Sequence, residues 1–146
     1  MSTLHFSSKE AKIINLIAEQ FNKGNIQAGL SLFQENQNEF KNLSNAYLYM
    51  GHLAAKLKFK SISRSFLELS FSLAPSYESA IKLAESYFKL SKFSISSYYF
   101  EEAIFFKKKP LEYYGLARSY HSLGLNELAI FNFQLSSSSF STKLIY

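Results

Sequence analysis

PLEYYGLARSYHSLGLNELAIFNF, residues 110–133, decides the fold. Tyr113, Leu116, Ala117 and Tyr120 recur at three and four residues, the spacing of one helix face. Gly124 interrupts, and Ala129 and Phe133 then begin a second helical face. Stepping back 33 residues from Ala117 reaches Ala84, and a further 33 reaches Gly51. The residue before each is large and apolar: Met50, Leu83, Leu116. Three after each stand Ala54, Tyr87 and Tyr120, and sixteen after each stand Leu67, Phe100 and Phe133. A fixed period of this length marks stacked supersecondary units, none of which can bury its apolar face alone.

A weaker copy precedes these, with Ile14, Ile17, Ala18 and Phe21 in the same roles and Gly24 ending the helix. The chain therefore reads as one domain of four units, about 11–43, 44–76, 77–109 and 110–143, with a short apolar tail over 137–146. Helices are expected near 9–23, 27–38, 44–57, 60–73, 77–90, 93–106, 111–123 and 126–138. Ser44, Ser76 and Asn126 are the expected N-caps, since their side-chain oxygens can accept from orphan N–H groups. Gly24 and Gly124 suit left-handed C-cap positions. Lys58-Phe59 and Lys92-Phe93 take the matching turns without glycine. Local propensity alone would make Phe93–Phe106 a strand; the repeat outvotes it.

The pattern resembles the tetratricopeptide repeat (TPR), whose units read Trp-x-x-Leu-Gly-x-x-Tyr, then Ala-x-x-x-Phe, then Pro. The last unit is nearest, with Tyr113, Leu116, Ala117, Tyr120, Gly124, Ala129 and Phe133; the second supplies Tyr47, Gly51 and the closing Pro75. No unit has Trp, and Ser63 and Ser96 stand where the family packs an alanine. The resemblance implies an all-α, right-handed α-solenoid of about four helix pairs.

Composition narrows the function classes. Of 146 residues, 47% are apolar, enough for a sizeable core, and there is no cysteine, which excludes disulfides and thiol chemistry. No run of 18 or more apolar residues exists, so no membrane insertion is expected. No apolar signal core precedes Lys12, and a cytoplasmic location is expected. The net charge of +5 raises the prospect of nucleic acid. The lysines are scattered, however. Their only run, Lys107–Lys109, falls in an inter-unit turn before Pro110 and reads as a solvated loop.

Catalytic and cofactor signatures are absent from the sequence. His5, His52 and His121 form no ligand pair one helical turn apart, and there is no glycine-rich phosphate loop. Glu101 and Glu102 are adjacent, so they point to different sides of a helix and do not converge. A non-enzymatic chain without metal or cofactor is expected.

The TPR resemblance implies that the first helix of each unit lines a concave groove. Carried onto this chain, the groove comprises Leu48, Tyr49, His52 and Lys56, then Ile81, Glu85, Phe88 and Lys89, then Tyr114, Arg118 and His121. The family's carboxylate clamp wants Asn or a cation where this chain has Glu19 and Glu85, which excludes a C-terminal carboxylate ligand. Aromatic and arginine anchors are common interface hot spots. The expectation is a protein-interaction module taking an apolar or amphipathic segment. Within the family, the chain is similar to small TPR chaperones of type III secretion, which implies a small helical secretion subunit or co-chaperone as partner. A scaffold subunit and a basic nucleic-acid-binding repeat are the alternatives. Leu128, Ile130, Phe131, Phe133 and Leu135 place apolar residues on more than one face of the last helix. Either Phe140 and Leu144–Tyr146 fold back as a cap, or this end docks another chain as an oligomer or heterodimer.

Overall fold

The computed structural model describes residues 4–145, with side chains to residue 138. Among the described residues there are eight α-helices and no strand: α1 (Ser8–Asn22), α2 (Ile26–Glu35), α3 (Leu43–Lys56), α4 (Lys60–Leu73), α5 (Tyr77–Lys89), α6 (Phe93–Phe106), α7 (Pro110–Ser122) and α8 (Asn126–Ile145). The aromatic stretch 93–106 is a helix. Its burial of Ser96, Ser97, Phe100 and Ala103 follows helical spacing and outweighs β propensity.

Successive helices pack as pairs, α1 with α2, α3 with α4, α5 with α6 and α7 with α8. Small residues sit where the pairs close. Ala84 and Ala117 are fully buried, and a Cβ added to Gly51 would lie 2.9 Å from Leu67 Cδ2. The turn inside each pair carries a left-handed residue: Gly24 (φ 82°), Lys58 (φ 68°), Ser91 (φ 60°) and Gly124 (φ 78°). Only glycine takes this conformation without steric cost. Ser91→Gly should therefore stabilise the protein by up to about 1 kcal/mol, read as a raised urea midpoint; a lowered midpoint would contradict it.

Two serines that depart from the repeat pattern are structural. Ser63 Oγ donates to Gly51 O at 2.8 Å, and 33 residues on Ser96 Oγ donates to Ala84 O at 2.8 Å. A hydroxyl replacing a methyl at a tight crossing thus finds an acceptor on the facing helix, which a buried hydroxyl requires.

The chain divides into two compact units, Met1–Ala74 and Pro75–Tyr146. In the first, α2 stops at Glu35, three residues earlier than expected, because the Asn36 side chain donates to Leu32 O at 2.8 Å. A 3₁₀ turn, Gln37–Glu39, follows. The gap is filled by rings: Phe33 lies 5.8 Å from Phe40, 5.5 Å from Tyr47 and 5.6 Å from Phe66.

Two caps differ from the sequence expectation. Asn42, not Ser44, caps α3 by accepting from Asn45 N at 3.1 Å. Ser44 is instead buried, trading bonds of 2.9 Å with Ser70 through each hydroxyl and the other's carbonyl. Asn126 is the first residue of α8, not its cap. Ser76 caps α5 as expected, accepting from Ser79 N at 3.2 Å.

Ser7 and Glu10 form a capping box on α1, and the second oxygen of Glu10 accepts from Lys41 N at 3.2 Å. Bonds from the Ser7 N–H, then the Ser7 hydroxyl, then Lys41, hold the Glu10 carboxyl below its ordinary range. A depressed folded-state value means that the stabilisation is present above the unfolded pKa and is lost as pH falls through the folded one. Glu10→Gln should lower stability at neutral pH and narrow its difference from the parent below about pH 4. Parallel pH profiles would contradict this.

In the second unit, α6 also packs on α7, and α5 touches α7. A Cβ at Gly115 would lie 2.4 Å from Phe100 Cε1, so α7 crosses α6 with its backbone against that ring. The final helix runs on to Ile145 instead of ending near residue 138. No Gly or Pro follows Gly124 to stop it. The side chains of Phe140 and Leu144–Ile145, and all of Tyr146, lie outside the described residues, so the folded-back cap expected of them does too.

Candidate protein-interaction site

The expected groove positions fall on α3, α5 and α7. On α3, in the first unit, Leu48 is 3% exposed and does not present a surface. Tyr49 is half-buried, with its ring edge-on to Phe6 at 5.9 Å, and burial pushes its phenol up. His52 is half-buried, and Lys56 is exposed in the last turn of α3. Phe6 escaped sequence reading because it precedes the first unit; the Ser7-x-x-Glu10 box beside it was the available signal that an ordered helix start lay there.

The second unit brings residues from α5 and α7 together. Ile81 and Phe88 are half-buried against Ala84, Phe100 and Leu116, and Phe88 meets Phe93 edge-on at 5.2 Å. Glu85 and Lys89 are exposed on the same helix. From α7, the Arg118 guanidinium lies 4.4 Å from the Phe88 ring centroid and 5.6 Å from that of Tyr114. Tyr114 is 47% exposed and leans on Phe133 at 5.8 Å. His121 is exposed one turn further along α7.

Arg118 thus lies over two aromatic rings, one from each helix. Cation–π contact of this kind contributes about 0.5–1 kcal/mol at an exposed site. The N–H donors of a guanidinium lie in its plane, so a ring against its face does not occupy them. A stacked arginine can receive a carboxylate through two parallel hydrogen bonds while the rings beside it take apolar contact.

The lysine run read as a solvated loop has a further contact. The Lys107 and Lys109 ammoniums lie 4.6 and 5.1 Å from the Tyr77 ring centroid. The Tyr77 hydroxyl donates to buried Glu112 at 2.6 Å, and desolvation followed by that bond raises the phenol's pKa well above its ordinary value. Tyr120 likewise donates to Glu101, and its phenol is raised by burial and then by that bond. Among the described residues no group of three His, Asp or Glu could hold a metal ion, and no helix is long and apolar enough to cross a membrane.

No protein-family model matches the chain, and no curated protein sequence matches it. Solved structures do resemble it. A crystal structure of MamA superposes with a TM-score of 0.70 at 16% identity, covering 92% of this chain and 80% of that one. MamA residues 41 to the end from Desulfovibrio magneticus RS-1 gives 0.69 at 16% identity, covering 92% and 77%. MamA MSR-1 gives 0.67 at 14% identity, covering 90% and 76%. At these identities the likeness shows the fold, an all-α repeat of TPR-like helix pairs.

Proposed function

We propose that this chain is a non-catalytic protein-interaction module. It takes an apolar segment bearing an acidic residue, with Arg118 receiving the carboxylate. The observation that carries the reading is the Arg118 guanidinium lying over both the Phe88 and the Tyr114 rings. Ile81, Phe88 and Tyr114 supply the apolar floor. Lys89 and His121 are exposed on the same two helices, Lys89 adding a second cation and Glu85 on α5 an opposing charge. The MamA-like fold supports an interaction role, because such repeats present side chains from successive helices to a partner. A helical subunit of a secretion system, held before export in the cytoplasm, is the particular ligand that the chaperone resemblance implies. The chemistry of the site asks only for an apolar, acidic segment. In the first unit, Tyr49, His52 and Lys56 on α3 are a candidate surface of their own.

The test is affinity capture from the native cell with the parent protein, Arg118→Ala and Lys108→Ala, followed by mass spectrometry. A protein retained by the parent and Lys108→Ala but lost with Arg118→Ala supports the site. Loss with Lys108→Ala alone would move binding to the basic turn, and release by salt of bound nucleic acid would favour the basic-repeat alternative.

A further inference from the structure

The outer face of α8 repeats a surface that elsewhere in the same unit is already occupied by a helix. On α6, Phe100 receives the backbone of α7 at Gly115, Glu101 accepts from the Tyr120 hydroxyl, and Ile104 packs into the cluster that includes Leu116. Thirty-three residues later these positions are Phe133, Gln134 and Ser137. All three line a single groove on α8, together with Ile130 and Ser138. The register makes the comparison sharper at Ser97, which is buried on α6, whereas its counterpart Ile130 is 57% exposed. From Leu128 to Ser138 this helix carries no charged residue, so an approaching helix meets neither an attraction nor a repulsion that would set a different geometry.

We infer that this groove is a second docking surface, adjoining the Arg118 site where Phe133 meets Tyr114, and that it seats an amphipathic helix of a partner protein in the way α6 seats α7. The chemistry of α7 states what the partner must present: a small residue against Phe133, a large apolar residue next to it, and a hydroxyl five positions after the small one to meet Gln134. Gly115, Leu116 and Tyr120 are that set. The small residue is required because an aromatic ring at this position leaves no room for a Cβ where α7 crosses α6. The other first helices of this chain carry Leu16, Tyr49 and Lys82 at the position of Gly115, so none of them in a second copy offers that set.

The probe is a peptide of residues 110–123, the sequence already seated one repeat earlier, with positions 118 and 122 bridged by a hydrocarbon staple so that it is helical in solution. Fluorescence anisotropy with the full chain should give saturable binding. Ile130→Asp, at an exposed position, should leave the melting temperature unchanged and weaken binding about tenfold or more. Gln134→Glu should strengthen binding several-fold by restoring a carboxylate for the peptide's tyrosine, and should gain nothing with a Tyr120→Phe peptide. A Gly115→Leu peptide should not bind. Absence of saturable binding up to about 1 mM, a range that covers interactions near 4 kcal/mol, would overturn the inference. So would binding indifferent to Ile130→Asp, which would place the peptide elsewhere. Self-association of the chain that Ile130→Asp abolishes would assign the groove to a second copy instead.

Discussion

Phe100→Ala is expected to cost the second unit about 3–5 kcal/mol, the range for removing a buried phenylalanine. Phe100 is buried and lies where three helices meet, touching Ala84 of α5 and Leu116 of α7 from its place on α6. Whole domains are stable by only about 5–15 kcal/mol, so a large share of the stability of Pro75–Tyr146 should be lost, read as a lowered urea midpoint. Gly115 provides the internal check. Alanine is the better helix former by about 1 kcal/mol, yet a Cβ 2.4 Å from the Phe100 ring forces a shift. Gly115→Ala should therefore destabilise the parent by about 1–3 kcal/mol. In the Phe100→Ala background the obstruction is gone, and the same change should stabilise. Chemical denaturation of the four proteins measures this coupling. Equal effects of Gly115→Ala in both backgrounds would mean that α7 does not cross α6 on this ring.

Tyr114→Ala carries the second large effect, on binding. Tyr114 is a better anchor than Phe88 or Tyr49 because less of it is committed to internal packing. Phe88 is pressed on Phe93, and Tyr49 meets Phe6, while Tyr114 keeps 47% of its surface exposed. Truncating a central aromatic anchor typically costs about 2 kcal/mol, roughly thirtyfold in affinity. Arg118 also loses one of its two flanking rings, so part of the loss comes from a freed guanidinium. A titration of the captured partner with unchanged affinity would remove Tyr114 from the site.

The repeat made most of the fold legible. Positions 33 apart share one environment, so small residues at 51, 84 and 117 and the left-handed turns at 58, 91 and 124 follow one rule. What escaped sequence reading lay outside that period. Asn36 ends α2 through a side-chain bond that competes with continued helix, and nothing in the period marks it. Asn42 and Ser44 are both good caps by type; the choice was made by Ser70, which draws Ser44 inward from 26 residues away. The serine run after Leu135 read as a helix end, yet poor helix formers without Gly or Pro do not stop a helix already propagating. For the site, the register placed Phe88, Tyr114 and Arg118 on facing helices, and the structure brings them into contact. It could not show that Leu48 is spent in burial, because an apolar residue on the expected groove face reads the same whether covered or open.

The most direct measurement of the central claim is a calorimetric titration of the captured partner against the parent, Arg118→Lys and Lys108→Ala. Lysine keeps the charge of Arg118 but has neither the planar fork nor the stacking surface. If Arg118 receives a carboxylate beside the two rings, Arg118→Lys should weaken binding about tenfold or more, since the second of two parallel hydrogen bonds and the planar stacking are both lost. Lys108→Ala should change it less than about twofold, as exposed charges contribute little. Full affinity in Arg118→Lys, with loss in Lys108→Ala, would contradict the account and leave net positive charge as the basis of binding.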